Sequence, residues 1–178
     1  IFNSMKDKNL EEMSCHTVAD IENKTQQLYG NIWVDFDEYT YFDEPFIRLD
    51  ARMKANNVDT TCFQDKVGLD AGCGGGRYTV ALAKYGFKKV FGIDLSEKGI
   101  PDAREKIKNT KFETKIEFLH GNVLDLPFED DFFDFVLSNG VLHHTTDPMR
   151  GVEECYRVLK PEGKLWLHTW QNGGIIND

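Results

Sequence analysis

A run of small residues between positions 67 and 77 has the spacing of a ligand-binding turn. It reads Val-Gly-Leu-Asp-Ala-Gly-Cys-Gly-Gly-Gly-Arg, so that an acidic residue precedes three alternating glycines. A glycine-rich turn between a strand and a helix lets the backbone approach a ligand closely at the edge of an α/β sheet. The residues predicted to line this turn are Asp70, Ala71, Gly72, Cys73, Gly74 and Gly76.

The glycine spacing excludes two phosphate-binding motifs. A dinucleotide turn has the pattern G-x-G-x-x-G, which would require a third glycine where this chain has Arg77 or Thr79. A P-loop would require Gly-Lys-Ser or Gly-Lys-Thr, and neither follows the run. The pattern is instead D-x-G-x-G-x-G. On this motif alone, a structural turn that binds nothing is the alternative.

A second acidic residue lies at the distance expected of a ribose ligand. Asp94 follows the glycine run by about 20 positions and ends the apolar stretch Val90-Phe91-Gly92-Ile93. An acidic side chain at the tip of the second strand can accept hydrogen bonds from both ribose hydroxyls. Asp94, with the adjacent Leu95, is therefore predicted to bind a nucleoside.

Alternating strands and helices would position these residues. Apolar runs predict strands at 66–70, 89–94, 115–120, 132–138 and 164–170. Helices are predicted at 47–56, 76–85, from near 101 to 108, and 148–159, with a turn at 160–163. Such alternation predicts a parallel sheet with right-handed crossovers. Asp70 and Asp94 each lie at the carboxyl end of one of these strands.

Three later segments extend the pattern. They read Gly-Asn-Val-Leu-Asp-Leu-Pro-Phe from 121, Phe-Asp-Phe-Val-Leu-Ser-Asn-Gly-Val-Leu-His-His from 133, and Tyr-Arg-Val-Leu-Lys-Pro-Glu-Gly-Lys-Leu-Trp-Leu from 156. With the glycine run, they resemble the class I S-adenosylmethionine (SAM)-dependent methyltransferases, in particular the ubiquinone/menaquinone-biosynthesis (type 11) group. The resemblance covers about 66–170. It implies an α/β fold with a Rossmann-like, doubly wound, mostly parallel sheet.

The resemblance also implies a cofactor and its contacts. SAM would be the methyl donor and S-adenosyl-L-homocysteine the product, with no metal. The glycine turn would support the methionine and ribose parts of SAM. Asn122 would face the adenine amino group, where the family more usually has Asp, and Val123 would contact the ring. Ser138 and Asn139 would line the methionine end.

Two adjacent histidines, His143 and His144, are candidate catalytic residues. An imidazole near the sulfonium could take a proton from a hydroxyl or amine acceptor, because its ordinary pKa lies near neutrality. The alternative is that one ring packs against the protein while the other faces solvent. The residue types alone do not decide between these hypotheses.

The chain divides into a cap segment at 1–65 and a SAM-binding core at 66–178. The cap is predicted to be helical and rich in aromatic side chains, which either contact the acceptor or cover the hydrophobic core. Its candidate substrate contacts are Tyr29, Trp33, Tyr39 and Tyr41. The family sheet usually ends in an antiparallel hairpin, and only eight residues follow Trp170. The hairpin is therefore expected to be missing and the core to be incomplete at its C-terminus.

Composition narrows the function. The net charge of −9 disfavours a nucleic-acid substrate. The four cysteines have no C-x-x-C spacing, which disfavours a zinc or redox site and favours a cytoplasmic location. No apolar run is long enough to span a bilayer. We therefore expect a methyltransferase for a small molecule with an oxygen, nitrogen or carbon nucleophile, with a homodimer as one expectation. The alternatives are a tRNA- or protein-modifying methyltransferase and a non-catalytic SAM-binding partner subunit.

Overall fold

Five parallel strands form the centre of the protein. The computed structural model describes residues 35–169, in which the strand order is β3-β2-β1-β4-β5. Every neighbouring pair in this sheet is parallel, which confirms the predicted fold class. The strands are β1 (Val67–Ala71), β2 (Lys89–Asp94), β3 (Ile116–His120), β4 (Phe133–Asn139) and β5 (Leu159–His168).

Helices cover both faces of this sheet. Buried residues of α2, α3 and α4 share one apolar core, whereas Cys155 of α5 belongs to a second core. The chain changes face between β3 and β4, so the switch point of the sheet lies between β1 and β4, where open α/β sheets bind ligands. The helices are α1 (Glu38–Phe42), α2 (Glu44–Ala55), α3 (Arg77–Lys84), α4 (Gly99–Ile107) and α5 (Pro148–Arg157), with 3₁₀ turns at Thr60–Phe63 and Leu142–His144.

Local capping explains where these helices begin. At α5, the Asp147 side chain accepts a hydrogen bond from the Arg150 amide at 3.0 Å, and Pro148 lies in the first turn, where no amide hydrogen is needed. At α4, the Gly99 amide donates to Ser96 Oγ at 2.8 Å. The helix therefore begins ahead of Pro101, and this proline also lies in a first turn.

Two predicted boundaries are wrong. The predicted turn at 160–163 lies within β5, where the pairing register with β4 shifts between Phe133 and Phe135. Lys160 within this irregular stretch reaches Asp134 Oδ1 at 3.0 Å, which keeps the stretch beside β4. Helix α2 begins at Glu44, three residues earlier than predicted, because a proline in the first turn and an acidic residue at the N-terminus both favour helix initiation.

The described part of the cap segment packs onto the first core. Tyr41 has no exposed surface and joins the buried residues beneath α2 and α3. Phe63, from the 3₁₀ turn before β1, stacks on Phe87 with ring centroids 5.1 Å apart. This segment therefore contributes to the core itself. Within residues 35–169, no helix has both the length and the apolar character needed to cross a membrane.

Candidate active site

The glycine turn is bonded to the end of the neighbouring strand. The amides of Gly72 and Cys73 donate to the Ile93 carbonyl of β2 at 2.8 and 3.0 Å. Gly72, Gly74 and Gly76 all have positive φ, at 86°, 54° and 83°, a region in which residues with a Cβ are strained. The turn therefore needs glycine at these positions to hold its backbone shape.

Two of these glycines are also required by packing. A Cβ on Gly72 would overlap the Val141 side chain, and one on Gly76 would lie 2.5 Å from the Phe118 ring. The first contact brings the turn against the loop that follows β4. Because of the second contact, the start of α3 packs closely against Phe118 of β3. The glycine spacing therefore also serves close packing.

Asp94 joins the turn to the end of β2. Its Oδ2 accepts from the Gly74 amide at 2.8 Å, and its Oδ1 accepts from the Ser96 amide at 2.8 Å. Burial raises the pKa of this carboxyl, while these two hydrogen bonds oppose the rise. A carboxylate has about four acceptor positions, so two remain for the hydroxyls of a ligand. The structure therefore brings together the two residues that the sequence assigned to one nucleoside.

Asp70 lies inside the protein, at the carboxyl end of β1. It is 1% exposed, and its Oδ2 accepts from Thr79 Oγ1 at 2.7 Å. Burial raises the pKa of this carboxyl to about 7; the Thr79 hydrogen bond opposes this rise and the Asp94 charge adds to it. The role of Asp70 shown by these contacts is to connect β1 to α3 beneath the turn.

Asp70→Asn should flatten part of the dependence of stability on pH. The folded carboxyl binds a proton more tightly than the unfolded one, so unfolding releases that proton between about pH 4 and pH 7. The free energy of unfolding of the wild type should fall as pH rises through this window, by up to about 1.4 kcal/mol per unit. Urea unfolding from pH 4 to 8 measures this slope. An unchanged slope in Asp70→Asn, compared with exposed Asp65→Asn, would contradict the assignment.

The predicted adenine segment follows β3. Asn122 Oδ1 accepts from the Leu124 amide at 2.9 Å, so the oxygen predicted to face adenine also shapes its own loop. Val123 is buried in the second core. The Leu95 carbonyl is bonded to His120 Nε2 at 3.0 Å, which ties the end of β3 to the residue after Asp94.

Polar side chains gather at the carboxyl end of β4. Ser138 is fully buried, and its Oγ has no hydrogen-bond partner among residues 35–169. Asn139 Oδ1 accepts from Arg52 Nη1 at 3.1 Å. The rings of His143 and His144 lie with centroids 3.9 Å apart. Burial and the neighbouring His143 lower the pKa of His144, which favours its neutral form.

The aromatic side chains predicted to contact the substrate differ in their exposure. Tyr39 is 58% exposed, whereas Tyr41 is buried in the core, as the core-covering alternative predicts. Tyr29 and Trp33 lie outside the described residues. The structure adds Arg52, which no motif indicated, because it lies 87 positions from its partner Asn139. Among the described residues, no group of three or more histidine, cysteine or acidic side chains could hold a metal.

Comparisons with known proteins agree with this architecture. Residues 69–167 match the family described as methyltransferase domain. Demethylmenaquinone methyltransferase of Bacillus subtilis (strain 168) is 32% identical over 152 residues, which cover 81% of this chain and 63% of that enzyme. The structure of the PH0226 protein from Pyrococcus horikoshii OT3 gives a TM-score of 0.57 with 32% identity, covering 74% of this chain and 65% of that one.

A further structural neighbour shows the fold alone. The cyclase SpnF gives a TM-score of 0.65 at 20% identity, covering 81% of this chain and 58% of that protein. The chain spans less than two thirds of the length of each of these three relatives. The family match, by contrast, covers more than half of this chain. The chain therefore belongs to the methyltransferase domain family, as its four ordered motifs predict.

Proposed function

We propose that the protein transfers a methyl group from SAM to a small-molecule acceptor through an oxygen, nitrogen or carbon nucleophile. The observation that carries this proposal is the hydrogen bond between the Gly74 amide and Asp94, which joins two predicted cofactor contacts at the carboxyl ends of β1 and β2. The relative from Bacillus subtilis is named for a small molecule, demethylmenaquinone, which supports the acceptor class.

The residues present fit SAM. Asp94 retains acceptor positions for the ribose hydroxyls. The Ser138 hydroxyl is buried without a partner in the described part of the chain, and buried polar atoms normally have one. It is available to a polar group at the methionine end. When bound, SAM supplies a methyl group already activated by its sulfonium.

The protein must then align the acceptor and, for a hydroxyl or amine, accept its proton. His144 suits proton acceptance, because its lowered pKa leaves the imidazole neutral near pH 7. His143 lies against it and would hold the ring in place. The alternative, that one ring packs against the protein while the other faces solvent, predicts an undiminished transfer rate when either is removed.

His144→Ala should lower the transfer rate by about a hundredfold, the usual loss when a general base is removed, and leave S-adenosylhomocysteine affinity unchanged. The assay follows labelled methyl transfer from SAM into a metabolite extract, with calorimetric titration of S-adenosylhomocysteine alongside. Met149→Ala, an exposed change just beyond the 3₁₀ turn, is the control. Full activity in His144→Ala and His143→Ala would favour the packing alternative. Failure of the wild type to bind S-adenosylhomocysteine would contradict the proposed function.

The same assay tests the other functions. Labelling of tRNA or protein instead of a small molecule would favour a macromolecule-modifying enzyme, which the net charge of −9 disfavours for RNA. Cofactor binding without any transfer would favour a partner subunit. The cytoplasmic location and the homodimer stay predictions.

A further inference from the structure

Arg52, in the last turn of α2, carries a positive charge that no acidic side chain among residues 35–169 pairs with. Its Nη1 donates to Asn139 Oδ1 at 3.1 Å, and no residue in the range 35–169 forms an ion pair with it. The nearby acid on the same helix, Asp50, is paired with Lys54 at 2.6 Å. Arg52 is partly buried, and arginine is seldom fully buried unless it is paired. An anionic ligand would supply a partner that its planar guanidinium suits.

Other side-chain nitrogens belong to the carboxyl ends of β4 and β5 and to the 3₁₀ turn that follows β4. Asn139 pairs across the sheet with His168, whose pKa is lowered by burial and by the nearby Arg52 and His143. His143 Nδ1 is buried and has no hydrogen-bond partner in the described chain. Trp166 lies on the same face of β5 as His168, and its Nε1 is likewise buried without a partner there. We name these five residues the β4–β5 cluster.

We propose that the β4–β5 cluster binds an anionic oxygen of the methyl acceptor, as a carboxylate or a phenolate. This inference rests on the proposed function, because it assigns the cluster to the acceptor side of the same sheet edge. Arg and Trp side chains only donate hydrogen bonds, and a neutral imidazole can donate one. A neutral acceptor would leave the guanidinium of Arg52 unpaired, whereas an oxyanion would pair with it.

The net charge of the whole chain makes local recognition necessary. At −9, the protein repels anions at long range. Selectivity for an anionic acceptor must therefore come from short, charge-assisted hydrogen bonds, which are the strong ones. Arg52 supplies the fixed charge, and this makes it the residue to test.

The test uses the full chain saturated with S-adenosylhomocysteine and three probes: benzoate, para-nitrophenolate and neutral benzamide. We expect the wild type to bind at least one anion about tenfold or more tightly than benzamide, since a charged hydrogen bond contributes at least that factor. Arg52→Gln should remove this preference, and Arg52→Lys should retain part of it. Whichever anion is preferred distinguishes a carboxylate from a phenolate. Arg48→Gln, one turn earlier and paired with Glu44, is the matched control.

Several results would overturn the inference. One is a wild type without preference for either anion, and another is a preference that survives in Arg52→Gln. A third result concerns the cofactor. If Arg52→Gln binds S-adenosylhomocysteine more weakly than the wild type does, but binds methylthioadenosine equally well, the guanidinium holds the cofactor carboxylate, because methylthioadenosine lacks the amino-acid end. Thermal unfolding of each variant checks that it is folded. The prior titration of the wild type with S-adenosylhomocysteine tests the proposed function separately.

Discussion

Asp94→Ala is expected to weaken S-adenosylhomocysteine binding by about a hundredfold or more. The change removes the acceptor of two ribose hydrogen bonds, and each bond to a charged group contributes about 1.5–3 kcal/mol. It also releases the Gly74 amide at the glycine turn and the Ser96 amide before α4. The turn would lose part of its shape together with the ligand contact. Calorimetric titration of the full chain measures this effect.

Two further variants separate the two causes. Asp94→Asn keeps an oxygen that can accept from one backbone amide, but its NH₂ group faces the other amide. Its affinity for S-adenosylhomocysteine should therefore lie between those of the wild type and Asp94→Ala. Glu97→Ala removes an exposed acid three residues later and should leave the affinity unchanged. An affinity of Asp94→Ala equal to that of wild type would refute the ribose assignment.

Glu154→Ala should lower the free energy of unfolding by about 3 kcal/mol, because it removes several hydrogen bonds to one charged, buried carboxylate. Glu154 is 1% exposed, and Arg150 and Arg157 bond to its oxygens at 2.9 and 2.7 Å. Its Oε2 also accepts from the Leu126 amide at 2.8 Å, and Arg157 donates to the Leu126 carbonyl at 2.9 Å. These contacts hold the loop before β4 against α5. The variant therefore removes a contact that holds this loop and leaves the two arginines without their shared acidic partner.

Urea unfolding at pH 7 measures this loss, with exposed Glu153→Ala as the control. The hydrogen bond from Arg157 lowers the pKa of Glu154, so its contribution is present above the unfolded pKa and is lost as pH falls through the folded one. The difference between wild type and Glu154→Ala should therefore shrink in acid. Removing Arg157 together with Glu154 should cost less than the two single losses added. A Glu154→Ala protein as stable as Glu153→Ala would contradict this account.

The sequence predicted the parts of the fold that depend on local pattern. Five strands, their parallel arrangement and the turn at Gly72–Gly76 follow from apolar runs and glycine spacing. The structure adds the hydrogen bond between Gly74 and Asp94, which joins two of the predicted segments because the carboxyl ends of adjacent parallel strands meet at one edge.

The parts that the sequence did not predict depend on contacts between distant positions. Lys160-Pro161-Glu162-Gly163 has turn composition, yet Lys160 is held beside β4 by Asp134. The complete burial of Tyr41 could not be predicted, because it depends on how α1 packs against α3. Arg52 and Asn139 belong to segments that carry no shared motif. In the sequence, nothing distinguishes Glu154 from its neighbour Glu153, and its burial depends on the loop that packs against it.

The central position of β1 has a consequence for how the chain folds. β1, β2 and β3 are linked by short crossovers and can pair as soon as residue 120 is made. The other edge of β1 must wait for β4, and the contact between the Val67 amide and Asp134 closes a loop of 67 positions. Long-range parallel pairing is slow, and an unpaired central strand can recruit other chains. Refolding should therefore be sensitive to protein concentration until β4 joins the sheet, after which that edge is protected.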